Sequence, residues 1–209
     1  MSDADADTDA DTDTDTDADA DAGTANARLF GRWPVEDIEY SDPSTERYIT
    51  VTPIAHTMGR HASKQFQKSE ISIVERLINR LMQTEQNTGD KQKTMRITRE
   101  AFETVHERTG ENPIQVLVGA VENAAPREET VRLKYGGISV PQAVDVSPQR
   151  RVDQALMFIA EGVYNDSFKS TTDADQALAS QLMGAANNDV GTYAVNQKEE
   201  KERVAAAAR

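Results

Sequence analysis

One stretch of the chain, PREETVRLKYGGISVPQAVDVSPQRRVDQA at 126–155, reads as strand, turn, strand, and it is the only one that does. Val131, Leu133 and Tyr135 alternate with Thr130, Arg132 and Lys134, and Ile138 and Val140 alternate with Ser139. Between them, Gly136-Gly137 can adopt the positive φ values that a two-residue hairpin turn demands. A hairpin alone is marginal in water, and Pro141 confines its strand to an edge. The chain therefore cannot build a sheet-based core. The spacing predicts a mainly α fold: a bundle of about six helices with a two-stranded β-ribbon protruding at about 129–144.

The helices are legible from stripes and punctuation. Over 70–83, Ile71, Val74, Leu77, Ile78, Leu81 and Met82 share one face, with Ser69 as candidate cap. A second helix over 92–108 turns Ile97, Ala101, Phe102 and Val105 inward and stops at Gly110. Asn112-Pro113 starts a third, whose core face is Ile114, Leu117, Val118, Val121 and Ala125, and Pro126 ends it. Ser147-Pro148 starts a fourth, carrying Val152, Ala155, Leu156, Ile159 and Val163. A fifth spans 174–187 behind Asp173. Asn196 with Glu199 forms a capping-box pattern for a last helix over 197–208.

Residues 1–27 alternate Asp with Ala or Thr and cannot bury enough apolar surface to offset ordering entropy, so they are predicted to be a disordered tail. Residues 28–69 read as an extended arm pinned by aromatic anchors, Trp33 among them, ending in a basic lead-in. Residues 70–209 read as the helical domain. No apolar run approaches the ~18 residues of a membrane span, and the N-terminus lacks the basic and apolar segments of a secretory signal. A cytoplasmic protein with no membrane association is expected.

Net charge is −13, but ten Asp lie within 1–22; the remainder holds 23 basic against 26 acidic residues. Within 60–99 there are nine Lys or Arg against four Asp or Glu, so the acidic total hides a basic centre. Arg outnumbers Lys, 15 to 8, which fits adaptation to high salt. At 1 M the Debye length falls to ~3 Å, and anion binding must rest on close contacts, which the planar Arg fork makes best. There is no cysteine, phosphate-cradling glycine loop or Gly-x-Ser-x-Gly elbow. His56 and His61 have no carboxylate placed for a metal. Neither an enzyme nor a cofactor nor a metal site is expected.

The candidate anion contacts begin with the lead-in, Arg60, His61, Lys64 and Lys68. Arg76 and Arg80 lie one turn apart, as a solvated face paired to Glu75 or as a phosphate grip. Lys91, Lys93 and Arg96 follow, then Arg127, Arg132, Lys134 and Tyr135 around the ribbon, and Lys198 near the C-terminus. Arg150 and Arg151 sit in the first turn of the fourth helix, where the dipole disfavours cations. An external phosphate would reverse that sign. Other classes of function are an acidic protein–protein adaptor and a helical DNA-binding regulator. The second suffers from long inter-helix loops and from basic residues gathered on a ribbon.

Four stretches in register, ERLINRLM at 75–82, TGENPIQVLVGAVENAAPREE at 109–129, QAVDVSPQRRVDQA at 142–155 and TYAVNQKEEKERVAAAAR at 192–209, resemble the S-seven family of small-subunit ribosomal proteins in its archaeal form. The likeness covers roughly residues 29–209. It implies binding to the 3′ major domain of small-subunit rRNA, nucleation of head assembly beside neighbouring head proteins, and a position near the mRNA exit path and exit-site tRNA. The family's RNA contacts carried over would be Arg60, Lys64, Lys68, Arg127, Arg132, Lys134, Arg150 and Arg151. The chain departs from the family in its Asp-rich tail, in fewer Lys between the first two helices, and in Asn196-Gln197-Lys198 where a Lys run is usual.

Overall fold

Local punctuation sets several of the helix ends in the computed structural model, which describes residues 27–59, 61, 63–84 and 87–209. The helices are α1 (Pro43–Glu46), α2 (Ile73–Leu81), α3 (Lys91–Thr109), α4 (Pro113–Ala124), α5 (Pro148–Ser167), α6 (Ala174–Ala186) and α7 (Tyr193–Ala207). Asp90 caps α3 by accepting from the Lys93 N–H. Gly110 closes that helix in the left-handed conformation at φ 71°. Asn112 then accepts from the Ile114 N–H, with Pro113 in the first turn of α4. Two starts differ from the sequence reading. Ser69 caps nothing; it lies in a 3-10 turn at Gln67–Glu70, and Ser72 precedes α2. The last helix begins at Tyr193, not 197, because Ala194 and Val195 are fully buried and their packing outweighs the capping pattern at Asn196.

The small-residue helix α6 occupies the centre, packed against α3, α4, α5 and α7. Its buried face is Ala177, Leu178, Gln181, Leu182 and Ala185. Gly162 of α5 lies where a Cβ would come within 2.7 Å of Gln181 Oε1, so the α5–α6 approach depends on a missing side chain. Phe102, Phe158, Ile114, Leu117 and Ile159 fill the space between helices at under 2 % exposure.

The arm is more structured than an extended strap. Strands β1 (Arg28–Leu29) and β2 (Trp33–Pro34) form a small hairpin turned at Phe30 and Gly31, both at positive φ. Trp33 is a packing anchor, its ring edge-on to Phe102 at 5.8 Å. The arm then crosses α4, where Gln115 exchanges hydrogen bonds with the Glu39 backbone and Glu122 accepts from the Ser41 and Asp42 N–H groups. Every residue from Ile71 to Ile78 is buried, so α2 is covered all round rather than on one stripe.

Strands β3 (Glu128–Tyr135) and β4 (Ile138–Asp145) pair antiparallel, with Tyr135 opposite Ile138 and Glu128 opposite Asp145. Gly136 and Gly137 turn the ribbon at φ 55° and 91°. Its base packs onto α7, and its outer part is exposed. The expected disordered tail at 1–27 falls, except for Ala27, outside the described residues, as do Arg60 and the Tyr135 side chain.

Candidate nucleic-acid interface

Register decides what the ribbon presents. Val131 and Leu133 share a face with Val140 and Ile138, while Thr130, Arg132 and Lys134 share the other with Ser139 and Pro141. Arg132 and Lys134 are exposed. Among the described residues neither has an ion-pair partner. Thr130, Arg132, Ser139 and Pro141 line an open groove of about 540 Å³ against Val204 and Ala207 of α7 and the adjoining Ala208. Arg127 is exposed at the foot of β3, where its N–H donates to Glu202 at 2.8 Å. On the opposite face Val131, Ile138 and Val140 stay exposed, Ile138 at 69 %. A ribbon that leaves both its cations and its apolar side chains bare is built to be covered from outside.

The cations at the start of α5 behave differently. Arg150 and Arg151 stand in the first turn of α5, as expected, but neither is uncompensated. Arg150 makes a two-pronged contact with Glu129 of β3, Nε to Oε1 at 2.9 Å and Nη2 to Oε2 at 3.1 Å. Arg151 is buried and donates to Ser44 Oγ at 2.6 Å and Asp42 Oδ2 at 2.7 Å. The partners come from the ribbon base and from the arm, which sequence proximity does not reveal. Burial opposes ionisation of Asp42, but the Ser44 hydroxyl and N–H and the Arg151 guanidinium more than offset it, holding the carboxyl at about 2. Glu129 is likewise held below the ordinary glutamate range: burial raises it, and Arg150 and Gln154 lower it further.

Arg76 is also inward. It is neither a face paired to Glu75 nor an outward grip; it donates to the Tyr48 carbonyl at 2.7 Å and to Asp153 at 2.9 Å. Glu75, 3 % exposed in its side chain, is taken by Lys91 Nζ at 2.6 Å and by the Thr57 N–H at 3.2 Å. Burial raises the Glu75 carboxyl and these donors lower it, with a net downward shift. Lys68 shares Asp153 with Arg76. Arg80 donates to Gln83 at 2.6 Å, and His61 Nε2 lies 2.7 Å from Thr57 Oγ1. Lys64 is exposed, Lys198 half-buried, and Lys93 and Arg96 stand on the first turns of α3. The structure thus separates the predicted contacts. Arg76, Lys91 and Arg151 serve internal seams, Lys68 and Arg150 have one carboxylate each and remain half open, and, among the described residues, Lys64, Lys93, Arg127, Arg132, Lys134 and Lys198 face no carboxylate within ion-pair distance. Arg99, also free of one, was not singled out from the sequence, because it reads as one more charge on a helix face.

A helical body with an outward cationic ribbon presents a surface suited to an anionic partner. Comparison with known families is more specific. Residues 45–209 match the model of ribosomal protein S7p/S5e, and the chain belongs to that family, whose members are structural, non-enzymatic components of the ribosome. It is 81 % identical over 186 residues to the small ribosomal subunit protein uS7 of Haloarcula marismortui, covering 89 % of this chain and 90 % of that one. It is 79 % identical to that of Halococcus morrhuae over 88 % and 90 % of the two chains. The protein of the same name from Methanothrix thermoacetophila is 54 % identical, covering 87 % of this chain and 100 % of its own. The Arg-rich, acidic composition accords with the high-salt habit of the first two sources. Family membership displaces the adaptor and DNA-regulator readings.

Proposed function

We propose that this chain, a structural protein of the small ribosomal subunit, binds the 3′ major domain of the rRNA and nucleates assembly of the subunit head. In this reading it lies near the mRNA exit path and exit-site tRNA. The observation that carries it is the ribbon face bearing Arg132 and Lys134, exposed and without an ion-pair partner among the described residues, beside an exposed Arg127. Folded RNA is met by shape and phosphate contact rather than by base edges alone, and a narrow cationic ribbon suits that. Lys64 and Lys198 extend the contact set, and the free edge of Arg150, 60 % exposed in its side chain, adds to it. The body supplies rigidity, and neighbouring head proteins would cover the remaining helix faces.

The test is binding to a transcript of the small-subunit head domain across a KCl titration from about 0.2 to 3 M. Specific binding that persists into molar salt with a shallow slope is expected. Affinity no better than for an unrelated transcript would defeat the reading. The variant to pair with it is Arg132→Ala with Lys134→Ala, not Arg151→Ala, because Arg151 holds the arm.

A further inference from the structure

The ribbon is not the only open basic surface. Lys93, Arg96 and Arg99 follow one another at i, i+3 and i+6 along α3, so they form one stripe. With Gln92, Met95 and Phe30 they line an open groove of about 530 Å³ between α3 and the arm's hairpin turn. Among the described residues its single carboxylate is Asp90, spent on the helix cap through the Lys93 N–H at 3.0 Å. Lys93 and Arg99 have no ion-pair partner among the described residues, and Arg96 reaches Glu100 only at 4.0 Å with its side chain 64 % exposed. Phe30 is held at φ 51°, a conformation non-glycine residues seldom adopt. Its ring contacts Trp33 and Phe102 at centroid distances of 6.2 and 6.4 Å, which fixes it as part of the groove wall. No ribbon or α7 residue lines this groove.

We infer that this groove is a second RNA site, taking a single-stranded segment with one unstacked base against Phe30 and its flanking phosphates on Lys93, Arg96 and Arg99. The inference rests on the rRNA-binding reading above. Cations alone would suit any acidic partner; an aromatic wall set among them suits a nucleotide, because every base offers a face to stack while its phosphates meet the guanidinium groups. The stripe spacing lets successive phosphates of one strand meet successive side chains.

The chain has no cysteine, so single cysteines can carry an iron–EDTA cleavage tether. Full-length Gln92→Cys, at the groove, and Ser139→Cys, at the ribbon, are each bound to the head-domain transcript. Gln92→Cys should cut an unpaired segment distinct from the one cut by Ser139→Cys. Arg96→Ala with Arg99→Ala should weaken binding about 10-fold and erase protection at that segment only. Phe30→Leu, which keeps apolar contact with Trp33 and Phe102, should weaken it by a similar factor. Unchanged affinity in the arginine pair, with cleavage from the ribbon tether alone, would overturn the groove and leave the parent reading standing. Failure of the unaltered chain to bind the transcript would overturn both.

Discussion

Arg151 and Arg132 lie nineteen positions apart on the same side of the sequence's midpoint, and the fold uses them in opposite ways. Arg151 is buried and shared between Asp42 and Ser44 of the arm. Arg132 stands on an exposed strand, and among the described residues no carboxylate neutralises it. The same chemistry is a seam in one place and an open contact in the other, and what separates them is whether a remote segment folds back over the side chain. Basic residues in a sequence are therefore not interchangeable evidence for an anionic partner. At high salt the distinction sharpens, since a pair removed from solvent is screened much less than an exposed charge.

The comparison can be broken most forcefully at the seam. Arg151→Ala leaves Asp42 partly buried without its cation and should cost about 3 kcal/mol of stability, read from denaturant unfolding in molar KCl; a loss below ~0.5 kcal/mol would mean the arm is held elsewhere. Acid should act on the same contact. Because the Asp42 carboxyl lies at about 2 in the folded chain and near 3.9 when unfolded, its contribution is present above pH ~4 and lost as pH falls through about 2. That loss is on the order of 2 kcal/mol, and Asp42→Asn should flatten the corresponding limb of a stability–pH curve. Gly137→Ala, at φ 91°, should cost about 1 kcal/mol and loosen the ribbon tip, measured by hydrogen exchange across 131–142. Smallest in stability is Arg132→Ala with Lys134→Ala, expected within about 0.5 kcal/mol of the parent. Its effect belongs to RNA binding, where the log–log salt slope should fall by about 1 per contact removed.

The sequence was most readable where neighbours in the chain set the structure. Gly110 and Asn112-Pro113 marked the α3–α4 junction, and Gly136-Gly137 marked the ribbon turn, because these residues act through their own backbone angles. It was least readable where partners are remote. The stripe of Ile71, Val74, Leu77 and Ile78 suggested an amphipathic α2 with Arg76 outside. The arm covers that outer face, and Tyr48 and Asp153 supply the acceptors. The start of α7 was misplaced for a related reason: Asn196 and Glu199 make a credible local cap, but burial of Ala194 and Val195 against distant helices extends the helix past it. In the candidate interface, Arg132 and Lys134 were legible as ribbon cations, whereas the groove at Arg99 needed the arm's Phe30 beside it to be noticed.

The bond between Arg151 and Asp42 joins residues 109 apart in the chain, and this has a meaning for the nascent polypeptide. At translation rates of about 5–20 residues per second, Asp42 emerges roughly 5 to 20 seconds before its partner exists. Through that interval Leu29, Trp33 and Ile49 of the arm have no finished surface to bury against. The arm that locks the folded body is thus made before the helices it packs on and is among the last parts to close. A maturing ribosomal protein of this design is most vulnerable to capture by other chains, and most in need of shelter, at its N-terminal side.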